Sequence, residues 1–133
     1  MKEEIIKKKE SLFKNHTLEQ LKQMDVRETA KFLSSRSRRS VLRHFDIIEK
    51  FIKSCEEKQA RKKKIRTHLR DLVIVPKLVG FTIGIYSGKS FEDITISHDM
   101  IGHRLGEFVP TRKPVKHGAA GIGATKSSKA DKK

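Results

Sequence analysis

The sequence predicts an α+β fold in which a helix packs on a small three-stranded sheet, between a helical N-terminal extension and an extended basic C-terminal tail. Three observations lead to this prediction. Apolar residues recur at helical spacing up to about residue 60, residues 71–96 have a strand-like composition, and glycine and lysine are frequent in residues 110–133. A chain of 133 residues can form one compact domain with appendages. We therefore divide it into residues 1–45, 46–109 and 110–133.

Residues 1 to about 60 are predicted to be helical. Thr17 and Gln20 have the spacing of a capping box, and apolar residues follow at helical intervals. Asp25 and Glu28 repeat that signature, so a second short helix is expected to begin there. By contrast, residues 34–40 (SSRSRRS) alternate arginine with serine and contain no apolar anchor, and we interpret them as a basic linker.

The central helix is predicted to begin at Asp46. From there, apolar residues follow the spacing of one face of an amphipathic helix. These residues are Ile47, Ile48, Phe51, Ile52 and Cys55. Such a face requires a partner surface, and the sheet is expected to provide it.

The sheet is predicted from three β-rich segments. DLVIVP is expected to form the first strand and to end at Pro76, which cannot donate a ladder hydrogen bond. VGFTIGIY and SFEDITIS are expected to pair as a hairpin around Gly88, which can supply a positive φ. Tyr86 and Phe91 flank this turn and are expected to pack as a cross-strand pair. HDMIGHRLG then fits a short helix that starts after Ser97 and ends at Gly106.

The C-terminal tail has a composition that cannot build a core. Residues 110–133 contain three glycines, two prolines, seven lysines and arginines and one acid, Asp131. Fully extended at roughly 3.3 Å per residue, the tail could reach on the order of 80 Å from the folded body.

Positive charge is the strongest indication of function. The chain has 31 Lys and Arg residues against 16 Asp and Glu residues, a formal net charge of +15. This excess repels itself unless a polyanion supplies the opposite charge, so nucleic acid is the first candidate partner. An anionic membrane would also suit it, but there is no run of about 18 apolar residues and no secretory signal. We therefore expect a soluble, cytoplasmic protein without a membrane partner.

Three basic segments are the candidate RNA-binding sites: residues 36–43, 61–70 and 112–133. A single run of this kind could equally be a solvated charged face, but three of them favour phosphate neutralisation and salt-dependent binding. The first two segments contribute Arg36, Arg38, Arg39, Arg43, Arg61, Lys62, Lys63 and Lys64. Aromatic residues are few, with seven Phe, one Tyr and no Trp, so recognition is expected through phosphates and RNA shape.

Other chemistry is weakly indicated. Gly118 and Gly121 match a GXXG loop, and residues 121–126 resemble a phosphate-binding loop, but neither has the flanking helix or strand that such a loop needs. His103 and Glu107 could form an acid/base pair, although local hydrogen bonding or a phosphate contact fits them better. Cys55, the single cysteine, excludes an internal disulfide. We expect no catalytic residue, no metal and no cofactor; a DNA-binding protein and an enzyme remain the alternative classes.

Residues 65–129 closely resemble the universal S-nineteen family of small-subunit ribosomal proteins, whose eukaryotic members are called S-fifteen. The matching motifs are IRTHLRDLVIVPKLVG at 65–80, YSGKSF at 86–91 and MIGHRLGEF at 100–108. KPVKHGAAGIGATKSS at 113–128 is similar to the tail of the archaeal and eukaryotic branch, and LSSRSRRSVLR at 33–43 resembles the basic motif that this branch carries before the central helix.

The resemblance implies a structural protein of the ribosome. It implies binding to the three-prime major domain of 16S-type rRNA in the head of the small subunit, beside a protein of the S-thirteen family. It also implies that the C-terminal tail approaches the decoding site and the A-site tRNA. The residues carried over as nearest to RNA are Arg66, His68, Arg70, Lys89, His103, Arg104, Arg112, Lys113, Lys116 and His117.

Overall fold

The computed structural model describes residues 12–115. In this range the α-helices are Leu18–Gln23 (α1), Val26–Ala30 (α2), Ser35–Arg43 (α3) and Phe45–Ala60 (α4). The strands are Ile65–Thr67 (β1), Thr82–Tyr86 (β2) and Phe91–Thr95 (β3). Single 3-10 turns are formed by Pro76–Leu78, His98–Met100 and Leu105–Phe108. The α+β prediction is therefore confirmed.

Helices α1 and α2 begin where the capping signatures predict. The hydroxyl of Thr17 accepts a hydrogen bond from the Gln20 N–H at 3.4 Å, and the Gln20 side chain accepts one from the Thr17 N–H at 3.1 Å. The N–H of Asp25 donates to the Glu28 carboxylate at 3.3 Å. These reciprocal bonds satisfy backbone groups that the first turn of a helix leaves without a partner.

The interpretation of residues 34–40 as a linker is wrong, because Ser35–Arg43 is helical. Its apolar anchor, the fully buried Val41, lies just beyond that segment. Polar side chains add anchors that hydrophobic spacing cannot reveal. The Ser37 hydroxyl donates to the Gly102 carbonyl at 3.0 Å, and the Arg38 guanidinium donates to the Ala30 carbonyl at 3.3 Å, at the end of α2.

Helix α4 runs across the core as predicted and starts one residue earlier than Asp46. Ile48, Ile52 and Cys55 are buried. Ile47, which we expected on the same face, is 46% exposed. Burial raises the pKa of the Cys55 thiol to about 11, so the thiol is protonated at neutral pH.

The sheet has the order β1-β2-β3. β1 pairs with β2 in parallel, and β2 pairs with β3 antiparallel, as the predicted hairpin. Gly88 in the connection has φ +95°, a conformation that favours glycine. Tyr86 faces Phe91 across the strands, and their ring centroids are 5.2 Å apart. The predicted cross-strand pair is thus confirmed.

The prediction for the first strand is wrong in position. Residues 72–75 are buried one after another and make a single antiparallel bridge, from Val73 to Arg104. Pro76 begins a 3-10 turn instead of ending a strand. The strand that completes the three-stranded sheet is instead β1, which lies inside the basic segment 61–70. In β1 the side chain of Arg66 is exposed between two buried residues.

The short helix predicted for HDMIGHRLG is also wrong. The segment forms two 3-10 turns, and Gly102 between them has φ +86°. Gly106 lies within the second turn, where a Cβ atom would come 3.0 Å from the carbonyl oxygen of Arg70. Glycine is therefore required at position 106 because two backbone segments pack closely there, and not because a helix ends there.

One hydrophobic cluster joins residues from both sides of the division that we predict at residue 45. Val26 and Val41 from α2 and α3 belong to it together with Ile83 of β2 and Leu105. The boundary at residue 45 therefore stays a prediction that is based on sequence composition. Among the helices of residues 12–115, none is long and apolar enough to cross a bilayer.

Candidate nucleic-acid interface

Helix α3 displays three arginines on one exposed face. Arg36, Arg39 and Arg43 follow the three- and four-residue spacing that aligns side chains along a helix. With Arg104 they line a concavity of about 410 Å³, whose remaining lining residues are Ser40 and His44. The Arg104 guanidinium donates to the Ser40 hydroxyl at 3.2 Å, which fixes it against α3. We call Arg36, Arg39, Arg43 and Arg104 the arginine surface.

The residues of this face of α3 follow a helical pattern that sequence reasoning missed. Ser40 lies four residues after Arg36, and His44 lies four residues after Ser40, so both are on the same side of the helix as Arg36. This periodicity could have been found only if residues 35–43 had been recognised as a helix. Arg38 points elsewhere: its guanidinium donates to the carbonyl oxygens of Ala30 and Lys31, the latter at 2.8 Å.

A second cationic group follows the other end of α4. Arg61, Lys62, Lys63 and Lys64 are all exposed, and we call them the lysine turn. Lys62 has φ +53°, and the backbone N–H of Lys63 donates to the Lys58 carbonyl at 2.8 Å. The chain thereby leaves the helix and enters β1. Arg43 lies just before α4 and the lysine turn just after it, and the 16 residues of the helix span roughly 24 Å at 1.5 Å per residue.

Other predicted residues lie around the sheet. Arg66 and His68 are exposed on and after β1, and Lys89 is exposed in the β2–β3 connection. Arg112 and Lys113 are exposed at the start of the tail, where the Lys113 ammonium lies 3.8 Å from the Glu92 carboxylate. Lys116 and His117 lie outside the described residues.

Arg70 is used internally. Its guanidinium donates to the carbonyl oxygens of Tyr86 at 2.5 Å and Gly106 at 2.8 Å, and also to that of Val109. These bonds tie the end of β2 to the start of the tail. The family resemblance placed Arg70 among the RNA-binding candidates, whereas its guanidinium donors face the protein backbone.

His103 and Glu107 form the local hydrogen bond that their spacing favours. Nδ1 of His103 is 2.8 Å from a carboxylate oxygen of Glu107, and the Arg104 N–H donates to the other oxygen at 3.3 Å. The bond from His103, followed by that from the Arg104 backbone, lowers the pKa of Glu107. Within residues 12–115, no cluster of three His, Cys, Asp or Glu side chains could hold a metal ion.

We expect the substitution His103→Ala to raise the pKa of Glu107 towards its ordinary value, because the largest cause of its depression is removed. A depressed carboxyl pKa stabilises the fold above the unfolded pKa, and this contribution is lost as pH falls through the folded pKa. A carbon-13 NMR titration of the Glu107 carboxyl measures the shift. His44→Ala, which removes an imidazole elsewhere, should leave the pKa of Glu107 unchanged. A Glu107 titration that His103→Ala does not move would disprove this coupling.

Comparison with known proteins supports the same assignment as the sequence motifs. The family model described as Ribosomal protein S19 matches residues 39–117. The small ribosomal subunit protein uS19 of Halorubrum lacusprofundi is 46% identical over 126 residues, which cover 91% of this chain and 89% of the relative. The protein of the same name from Thermoplasma volcanium is 46% identical over 121 residues, covering 91% of this chain and 79% of the relative.

Both relatives are archaeal, which agrees with the branch that the basic motif and the tail indicate. The matched span contains α4, the whole sheet, the lysine turn and most of the arginine surface. Because the family model matches more than half of the chain and both relatives align with 91% of it, the chain belongs to the Ribosomal protein S19 family.

Proposed function

We propose that this chain binds the 16S-type rRNA of the small-subunit head, and that its separated cationic surfaces make the contact. Its family makes it a structural, non-enzymatic protein of the small ribosomal subunit that serves translation in the cytoplasm. The finer assignment, to the three-prime major domain, follows the sequence resemblance.

The arginine surface is the observation that carries this proposal. Four arginines converge on one concavity, and no acidic residue is among those that line it in the described part of the chain. Arginine presents planar donors that match phosphate oxygens in two-point contacts. A cleft with this lining attracts closely spaced phosphates, which a folded RNA backbone provides.

The distance between the cationic groups supports RNA over a small anion. Arg43 of the arginine surface precedes α4 and the lysine turn follows it, and the helix between them is roughly 24 Å long at 1.5 Å per residue. A mononucleotide cannot span the distance from Arg43 to the lysine turn. A folded RNA can, and each contacted phosphate adds a counterion-release contribution to the affinity.

The tail and the protein neighbour are further parts of the proposal. We place residues 110–133 near the decoding site and the A-site tRNA, because residues 113–128 resemble the tails of the archaeal and eukaryotic branch. A protein of the S-thirteen family is the proposed neighbour. Seven lysines and arginines against one acid make this tail suited to an RNA environment.

The affinity of the full chain for a transcript of the three-prime major domain should fall steeply with salt. We expect a loss of at least about a hundredfold between 50 and 300 mM monovalent salt, as phosphate contacts by several cations require. Filter binding measures it. Equal affinity at the two salt concentrations would contradict the proposal, and duplex DNA that competes as well as the transcript would favour a DNA-binding protein.

A further inference from the structure

The face of the sheet that turns away from the core can be assigned from the strand register. On β1 the side chain of Arg66 is exposed, between the buried Ile65 and Thr67. Arg66 is aligned with Gly84 and, through it, with Asp93. Because side chains alternate along a strand, Tyr86 and Phe91 lie on this same outer face.

Three rings meet at the hairpin end of the outer face. The His68 ring centroid lies 4.6 Å from that of Tyr86 and 5.1 Å from that of Phe91, which are themselves 5.2 Å apart. Tyr86 and Phe91 are half-buried, whereas His68 is exposed. His68 is therefore the outermost ring, and the other two support it from below.

The middle of the outer face is occupied by other side chains. A Cβ atom on Gly84 would lie 2.7 Å from the Asp93 carboxylate and 3.3 Å from Cγ of Arg66, so both side chains lie close over this glycine. The Arg66 guanidinium carbon is 5.2 Å from the Phe91 ring centroid, within the range of a cation–π contact. The open aromatic surface is thus confined to the hairpin end.

Charges around the three rings favour an anionic ligand at that end. Lys89 is exposed in the connection that joins Tyr86 to Phe91. Glu92, which the Lys113 ammonium approaches at 3.8 Å, is aligned with the buried Ile85 and so lies on the opposite face of the sheet from the three rings. The acidic group on the outer face is Asp93, over the middle of the sheet. A phosphate is therefore favoured beside Lys89, and disfavoured over the middle of the sheet.

We propose that this end of the outer sheet face binds one unpaired RNA nucleotide, with its base stacked on His68 and its phosphate near Lys89. The inference rests on the proposed function, because it requires that the chain binds RNA. Base–aromatic stacking depends on the flat face that every base has, so the site is expected to tolerate any of the four bases. The basic segments alone would bind only phosphates.

Two single-stranded probes separate stacking from charge: decaadenylate and an abasic RNA of the same length. Full-chain protein should bind decaadenylate about tenfold more weakly after His68→Ala, since one stacked base contributes about 1–3 kcal/mol. Its affinity for the abasic RNA should not change. His68→Phe keeps a ring in place and is expected to retain binding to decaadenylate.

Tyr86 provides a direct readout, because it is the only tyrosine in the chain. In protein labelled with carbon-13 tyrosine, its ring signals should shift with decaadenylate and stay in place with the abasic RNA.

Wild-type protein that binds both probes equally would show contact with phosphates alone and would overturn the stacking site. If His68→Ala bound decaadenylate as tightly as wild-type protein, the stacking site would also be overturned. If that variant were in addition poorly incorporated into the small subunit, the outer sheet face would be assigned to contact with a neighbouring protein. Failure of wild-type protein to bind any RNA would instead contradict the proposed function.

Discussion

Replacing Arg70 with methionine is expected to lower the free energy of unfolding by about 3 kcal/mol, because hydrogen bonds to a charged donor contribute about 1.5–3 kcal/mol each and are only partly additive. The guanidinium donates to carbonyl oxygens of Tyr86, Gly106 and Val109. Methionine retains the apolar stem but supplies no donor, so these half-buried carbonyls lose their partner. The expected loss is a large fraction of the stability of a small domain.

Urea denaturation of the full chain, followed by circular dichroism, measures this loss. Arg61→Met is a matched control, because it removes the same charge from an exposed position in the lysine turn. It should change the free energy of unfolding by less than about 0.5 kcal/mol, as substitutions on an exposed surface usually do. If Arg70→Met were no more destabilising than Arg61→Met, Arg70 would not tie the hairpin to the tail.

Replacing Arg36, Arg39 and Arg43 with alanine is expected to have the largest effect on RNA binding. Each lost phosphate contact reduces the slope of log affinity against log salt by about 0.9, so the slope should fall by about 2 to 3. Affinity for the three-prime major domain transcript should drop on the order of a hundredfold at low salt. All three side chains are exposed on α3, so the fold should persist.

The control triple Lys22→Ala, Lys53→Ala and Lys77→Ala removes the same charge from another concavity. That concavity also contains Glu49 and Glu56, which already oppose the three lysines. We expect its affinity for the transcript to fall less than about threefold, through net charge alone. Equal losses in the two triples would mean that total charge governs binding and that the arginine surface has no special role.

Local signals in the sequence were sufficient for several elements. The capping residues Thr17 and Asp25 specify where α1 and α2 begin, because their partners lie three residues away. Gly88 and the strands on either side specify the hairpin for the same reason: all its interactions are short-range. Helix α4 is long enough for its apolar period to be clear.

The errors lie where distant contacts decide the structure. Helix α3 is held by bonds such as that from Ser37 to Gly102, 65 residues away, which no local pattern contains. Residues 72–75 have β-branched composition, yet all four are buried in the core without forming a ladder. β1 has only three residues within a basic segment, and its parallel partner β2 begins 17 residues further along the chain.

For the candidate interface, the sequence identified the cations but not their direction. Arg36 and Arg38 are only two positions apart, yet Arg36 lines the concavity and Arg38 donates to the carbonyl oxygens of Ala30 and Lys31 at the C-terminal end of α2. Composition cannot distinguish an arginine that faces solvent from one that caps a helix. The ring cluster at His68 was missed as a possible binding surface, because it assembles from β2, β3 and the residue that follows β1.

The position of β1 at one edge of the sheet affects how the free protein behaves before it joins the ribosomal subunit. An edge strand offers unpaired backbone groups that can recruit strands from other molecules and start aggregation. Here the edge has three residues, follows directly after three lysines and carries the outward-facing Arg66. Shortness and like charge both oppose edge-to-edge pairing. The same cations that we assign to RNA binding would thus keep newly made copies apart until the RNA neutralises them.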